Sequence, residues 1–304
     1  MFRVFYAYIS CLFHNNLLYL CMEINKIYFE DCLKTMAKMP GSFLDLTITS
    51  PPYDDLRTYH DKVKGLESEY NGYSFPFERI ASELYRVTKK GGVVVWVVGD
   101  AVHKGGETLN SFRQALYFQD LGFKVHDTMI YEKNGSSFPA RRDGNRYSQI
   151  FEYMFVFSKD VQPKTPKLIC DKKNRWAGHT SFGQGTMRGK NGELIKRDIK
   201  PVPSFSPRNN IWKYNTGKGY TTKDDYAFDH PAMFPEKLVE DHIFSWSEEG
   251  DIVYDPMGGS GTTAKMAIMN GRKWVMSDFN KDYADIAQRR VKEAYDSISQ
   301  QELF

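Results

Sequence analysis

Two segments of this chain have residue types that could do chemistry: Thr49-Ser50-Pro51-Pro52-Tyr53 near the start and Asp255-Pro256-Met257-Gly258-Gly259-Ser260-Gly261-Thr262-Thr263 near the end. The second places glycines and hydroxyl side chains between an apolar strand pattern and a helical one. There the N–H groups of a helix N-terminus can approach a nucleotide, and glycines admit an approach that any Cβ would block. Asp278 lies 20 residues beyond Gly258, an interval that puts a carboxylate at the end of the next strand, where it can take both ribose hydroxyls of an adenosine. Taken alone, such a turn fits a nicotinamide cofactor equally well, or no ligand at all. In the first segment, two successive prolines fix the backbone and remove competing donors. The Ser50 hydroxyl and the Pro51 carbonyl are left as pre-aimed acceptors, suited to drawing on the N–H bonds of an amine. By itself Pro-Pro marks only a turn.

The elements that would position these segments alternate in the manner of a doubly wound sheet. Residues 24–29 read as a strand, 32–39 as a short helix, and 44–48 as a strand ending at the Pro-Pro loop. Phe77, Ile80, Ala81, Leu84 and Val87 recur at helical spacing before Gly91-Gly92, and residues 93–98 form a wholly apolar strand. A helix through Phe112, Ala115 and Leu116 precedes a strand over 125–131, and 149–158 reads as one more strand. After the basic stretch described next, strands over 251–254 and 274–277 flank a helix over 262–269. A last helix carries Tyr283, Ile286, Ala287, Val291 and Ala294 on one face.

At 304 residues, 41% hydrophobic and 15% aromatic, the chain can bury a sizeable core. Residues 159–223 differ from the rest: they hold 15 Lys and Arg against four acids, a net +11 in a chain whose total is +3. Gly, Pro, Ser and Asn are frequent there, periodicity is lacking, and aromatics such as Trp176, Phe182 and Tyr220 are scattered through it. Such a segment suits a phosphate backbone, with Lys172, Lys173, Arg175, Arg188 and Lys190 within it and Arg141 and Arg142 ahead of it as the expected DNA contacts; the blander reading is a solvated linker. The expected organisation is an extension over 1–21, a catalytic half over 22–158, an insertion over 159–223 and a cofactor half over 224–304. Four cysteines without paired spacing support neither a zinc site nor a disulfide framework and fit a reducing cytoplasm. No metal site and no membrane span are expected, since no run approaches roughly 20 apolar residues. Residues 1–21 are apolar and aromatic with polar interruptions. A signal peptide is one reading, and an extension upstream of Met22 with no functional role is the better one.

Together the two segments resemble the amino-methyltransferases of DNA, in the motif order usually called beta class. The usual cofactor loop of that family, Asp-Pro-Phe-x-Gly-Ser-Gly-Thr-Thr, is matched here except that Met257 replaces Phe. His230-Pro231-Ala232-Met233-Phe234-Pro235 is similar to the family segment that lines the methionine end of the cofactor, and Asp31-Cys32 to the position near its adenine. The resemblance implies a Rossmann-like, S-adenosyl-L-methionine-dependent methyltransferase fold. It also implies that Asp31, Cys32, His230, Pro231, Phe234, Asp255, Met257, Gly259, Ser260, Gly261, Thr262 and Asp278 meet the cofactor, and that Ser50, Pro51, Pro52 and Tyr53 hold the target amine. The insertion would then recognise the target in double-stranded DNA. A cognate restriction endonuclease and a homodimer are the further partners it brings into view.

An exocyclic base amine is a poor nucleophile because its lone pair is delocalised into the ring. Acceptors at Ser50 and Pro51 would localise that pair, and Tyr53 would give an aromatic face to a base swung out of the duplex. Transfer then needs chiefly proximity, with nitrogen and methyl carbon roughly 3 Å apart. In the family a leading Ser usually accompanies cytosine N4 and a leading Asp adenine N6, so Ser50 favours cytosine while adenine stays open. Readings of other classes are a non-catalytic DNA-binding protein of the same fold, against which the intact Ser50–Tyr53 segment speaks, and a dinucleotide oxidoreductase, against which the lack of a second phosphate-binding motif speaks.

Overall fold

The computed structural model describes residues 22–52, 75–135, 145–180, 186–196, 200–230 and 233–301. Residues 1–21, and Tyr53, Arg141, Arg142 and Pro231 among the expected site residues, lie outside them. In chain order the principal elements are β1 (Lys26–Phe29), α1 (Cys32–Lys38), β2 (Leu44–Thr49), α2 (Phe77–Val87), β3 (Thr88–Val98) and α3 (Asn110–Asp120). There follow β4 (Phe123–Lys133), β5 (Phe151–Lys159), β6 (Ile211–Tyr214), α4 (Glu236–Trp246), β7 (Ile252–Asp255), α5 (Thr262–Met269), β8 (Lys273–Asp278) and α6 (Lys281–Gln301). The eight strands form one sheet in the order β1-β8-β7-β2-β3-β5-β4-β6. Within it only β5 runs antiparallel to its neighbours.

A sheet covered by helices on both faces asks for strands that are apolar on both faces, which is why β3 is an unbroken apolar run. Val93, Val95 and Val97 enter one core with Leu46, Leu238, Ile243, Ala267 and Ala287, under α4, α5 and α6. Val94, Trp96 and Val98 enter the other with Met36, Leu84 and Phe118, under α1, α2 and α3. Trp96 centres that second core, with edge-on rings of Phe77 and Phe118 at 5.8 and 5.2 Å.

The sequence pattern places the start of β3 after Gly91-Gly92, but the strand begins at Thr88. Its ladder with β2 jumps from Leu44↔Thr88 to Leu46↔Val93, so the glycines form a bulge, with Gly91 at φ +73°. Two of these principal elements have no counterpart in the sequence reading. One is α4. The other is β6, which pairs parallel to β4 and ties the basic segment into the sheet.

On α4, His242 is fully buried between Trp212, at 4.7 Å between rings, and the Trp246 indole, which donates to its Nδ1 at 3.1 Å. Burial depresses its pKa to about 3 from 6.5. Between those values the unfolded chain binds the extra proton, so stability is complete above pH 6.5 and falls as the pH drops, by at most about 1.4 kcal/mol per pH unit from this group. Urea unfolding of wild type and His242→Gln at pH 7 and pH 5 should show a smaller loss in the variant; equal losses would exclude His242 as a source of acid sensitivity.

Candidate active site

In an open sheet with helices on both faces, the ligand crevice lies beyond the carboxyl ends of the strands, at the point where successive connections leave in opposite directions. Here that point is between β7 and β2. From β7 the chain crosses through α5 to β8 on one side; from β2 it crosses through α2 to β3 on the other. The glycine segment follows β7 directly and Ser50-Pro51-Pro52 follows β2 directly. The two motifs, far apart in the chain, therefore open into one crevice.

A side-chain bond marks their junction, between residues 206 positions apart: Thr49 Oγ1 donates to Asp255 Oδ1 at 2.8 Å. Thr263 Oγ1, in the first turn of α5, donates to Asp255 Oδ2 at 2.7 Å. The Met257 N–H also donates to Oδ1, at 3.1 Å. Burial raises the Asp255 pKa to about 6, the three donors opposing it. Asp255 thus holds its own scaffold together, whereas the motif resemblance assigns it to the cofactor.

The glycines also have scaffold reasons. A Cβ on Gly258 would lie 2.4 Å from Met276 Cγ, one on Gly259 2.6 Å from His230 Nε2, and one on Gly261 2.7 Å from Ala287 Cβ. Gly259 and Gly261 further adopt φ of +49° and +79°. Close packing of the chain on itself by itself demands glycine at these positions.

Asp278 ends β8, where it accepts from the Gly259 N–H through Oδ2 and from the Asn280 N–H through Oδ1, both at 2.8 Å. Burial raises its pKa, partly offset by those two bonds. A carboxylate has about four acceptor positions, so two remain for a pair of vicinal hydroxyls. Beside it, β1 ends at Phe29, paired in register with Asp278. Asp31 then caps α1 by accepting from the Leu33 N–H at 2.7 Å. Cys32 is buried, its thiol pushed up to about 12 by burial and then by the Asp31 charge, so it is no nucleophile. Phe279, 40% exposed, directly follows Asp278 and adds an apolar surface the motif reading did not single out.

Sequence reasoning also missed Arg290. Its side chain is fully buried, and its guanidinium donates to Ser260 O at 3.0 Å, Thr262 Oγ1 at 2.8 Å, Asp224 Oδ2 at 2.8 Å and Glu236 Oε1 at 2.6 Å. Lys265 bonds the same two carboxylates at 2.7 and 2.8 Å. Burial alone would raise the Asp224 carboxyl, but its bonds from Lys265 and Arg290 hold it below the usual carboxylate value. Two cations and two anions thus brace the glycine turn against the segment containing His230. The side chains of Ser260 and Thr262, expected from the resemblance to meet cofactor, are engaged by Arg290. His230 is buried against Gly259 and 4.3 Å from the Tyr283 ring, while Phe234 packs on the α4–α6 core.

In the basic segment, part of the charge serves folding. Arg208 pairs with Asp171 and Asp241 at 2.5 and 2.7 Å, Lys213 with Glu132 at 2.8 Å, and Lys167 with Glu248. Lys172, Lys173, Arg175, Arg188 and Lys190 are exposed. The first two lie in a short ladder with Phe205–Ser206, and Arg188 in a hairpin of Thr186–Arg188 with Leu194–Lys196. No group of metal-ligating side chains occurs among the described residues, and none of their helices is long and apolar enough to cross a membrane.

A mostly parallel, doubly wound sheet with one antiparallel strand, a glycine turn after one central strand and an acidic residue ending the next define a Rossmann-like methyltransferase fold. Residues 44–289 match the DNA methylase family model N6_N4_Mtase, and the chain belongs to that family. It is 57% identical over 250 residues to the orphan methyltransferase M.BamHII of Bacillus amyloliquefaciens, covering 82% of this chain and 89% of that one. It is 25% identical over 279 residues to the DNA adenine methyltransferase YhdJ of Escherichia coli, covering 88% and 83%. Among solved structures, the cytosine-N4-specific PvuII DNA methyltransferase superposes with a TM-score of 0.61 at 22% identity, over 90% and 91% of the chains. A protein described as a DNA modification methylase from Thermus thermophilus, complexed with S-adenosyl-L-methionine, superposes with a TM-score of 0.56 at 21% identity, over 88% and 95%.

S-adenosyl-L-methionine is the methyl donor of this family, and the crevice fits it: Asp278 keeps acceptor capacity at the strand end where a ribose would sit. Asp278→Ala should weaken cofactor binding by about 1.5 to 3 kcal/mol, the range for a lost charge-assisted hydrogen bond. Titration calorimetry checks this, and an unchanged affinity would remove Asp278 from the site.

Proposed function

We propose that this protein methylates the exocyclic amine of a base extruded from double-stranded DNA, cytosine N4 in preference to adenine N6. The observation that carries the active-site assignment is the bond from Thr49 to Asp255, because it joins the strand ends from which the amine-holding and cofactor segments depart. Asp278 would hold the ribose, Asp31 and Cys32 would flank the adenine, and His230, Pro231 and Phe234 would line the methionine end. The bound cofactor supplies an electrophilic methyl group. The chain's own part is to present the amine: the Ser50 hydroxyl and Pro51 carbonyl accept its N–H bonds and localise the lone pair, and Tyr53 stacks on the base. Pro51 and Pro52 keep those acceptors fixed.

Ser50 supports cytosine, by the family's association of a leading Ser with cytosine N4. The E. coli relative described as an adenine methyltransferase makes N6 the alternative. Expression in a host free of DNA methylation, digestion of its DNA to nucleosides and mass spectrometry decide the matter. N4-methylcytosine is expected. N6-methyladenine alone would overturn the choice of base, and the absence of either would overturn the reaction.

The exposed cations of the basic segment, with Arg141 and Arg142, would track phosphates. Neutralising Lys172 or Arg188 should weaken all DNA sequences alike and reduce the salt dependence of binding by about one counterion; an unchanged slope would make the segment a solvated linker. A cognate endonuclease and a homodimer belong to the same proposal as partners.

A further inference from the structure

The β7–β2 ladder stops short of the crevice. Its register pairs are Val253↔Leu46 and Tyr254↔Thr47, while β2 stays paired to β3 as far as Thr49↔Trp96 and β7 to β8 as far as Asp255↔Met276. At the level of Thr49 and Asp255, the two halves of the sheet are thus joined by side chains. Asp255 is 2% exposed, and Thr49 and Thr263 are 0% and 1% exposed. The one carboxylate takes hydrogens from the end of β2, from the turn at Met257 and from the start of α5. Thr49 is covalently next to Ser50.

We infer that Thr49, Asp255 and Thr263 form a positioning clamp that fixes the amine-holding segment against the cofactor segment, with Thr49 the residue through which the clamp acts on Ser50. The inference rests on the proposed roles of those two segments. Methyl transfer depends steeply on the gap between reacting atoms, and a misplacement of about 1 Å costs on the order of 10²-fold in rate. A bond at the root of Ser50 controls that gap without touching either reactant. Thr serves where Val would not, since the two have nearly the same shape and only Thr carries the donor.

The test compares Thr49→Val and Thr49→Ser with the wild type in single-turnover methylation of DNA and in S-adenosyl-L-methionine titration calorimetry. Thr49→Val is expected to lower the single-turnover rate roughly 10- to 100-fold with cofactor affinity held within about threefold, and Thr49→Ser to restore most of the rate. A wild-type rate in Thr49→Val would overturn the clamp. So would a loss of affinity parallel to the loss of rate, which would make Thr49 part of cofactor binding, or a failure of Ser to rescue, which would make it a packing residue. An inactive wild type would refute the underlying reaction, and the clamp with it.

Discussion

Ser50→Ala is expected to lower turnover about 10²- to 10³-fold, the loss seen when one preorganised polar group is removed from a transition-state site. Ser50 stands directly after the buried strand β2, so its backbone is set by the ladder to β3 and by the bond from Thr49 to Asp255. Replacing its side chain removes an acceptor and leaves that scaffold in place. Cofactor affinity and the unfolding midpoint should change little, and a rate within about threefold of wild type would take the Ser50 hydroxyl out of the chemistry. Ser50→Asp restores an acceptor and, by family analogy, should move product toward N6-methyladenine where the pocket admits a purine; nucleoside mass spectrometry reads that shift.

The largest effect on stability is expected at Arg290. Arg290→Met removes a cation that two carboxylates and the glycine turn share, leaving Lys265 as the one cation on Asp224 and Glu236 among the described residues, with the Thr222 hydroxyl still donating to Glu236. Breaking a buried ion network from one side costs about 3 to 5 kcal/mol, because the remaining charge stays buried with too few partners. Urea denaturation should show that loss, and Arg290→Lys should recover only part of it, since an ammonium cannot reproduce the fork that reaches both carboxylates and Thr262. A loss under about 1 kcal/mol would show that the network is dispensable.

Those two sites differ in how visible they are in the sequence. Ser50 sits in a motif whose residue types carry their own chemical reason. Arg290 follows Arg289 on the polar-rich last helix and looks like a solvated charge; its partners come from residues 222–236 and 260–262, so only the tertiary structure brings them together. The strands β3, β7 and β8 are legible because a sheet covered on both faces leaves short continuous apolar runs between turn residues, and β2 because Leu44, Leu46 and Ile48 alternate with Asp45, Thr47 and Thr49. Helix α4 is not, because its buried side includes Asp241, His242 and Ser245, which dilute the apolar period. Strand β6 alternates exposed and buried over only four residues, too few to stand out in a basic, irregular stretch. The glycine pattern reads as a turn after β7 and the structure has a turn there, whereas a second demand for glycine is visible only in the tertiary structure: Met276, His230 and Ala287 occupy the space that side chains would need.

β1, the first described strand, pairs within the sheet only with β8, and α6 packs beside it. Its ladder therefore closes only after the residues through β8 have been made, and the first strand and last helix of the described residues lie side by side at one border of the sheet. Joining them and cutting the chain in a surface loop elsewhere would keep every interior neighbour, as is common for domains whose ends lie close together. The order in which the two reactive segments occur along the polymer is then a matter of where the ring of elements has been opened, and enzymes with the reverse order can share the same crevice.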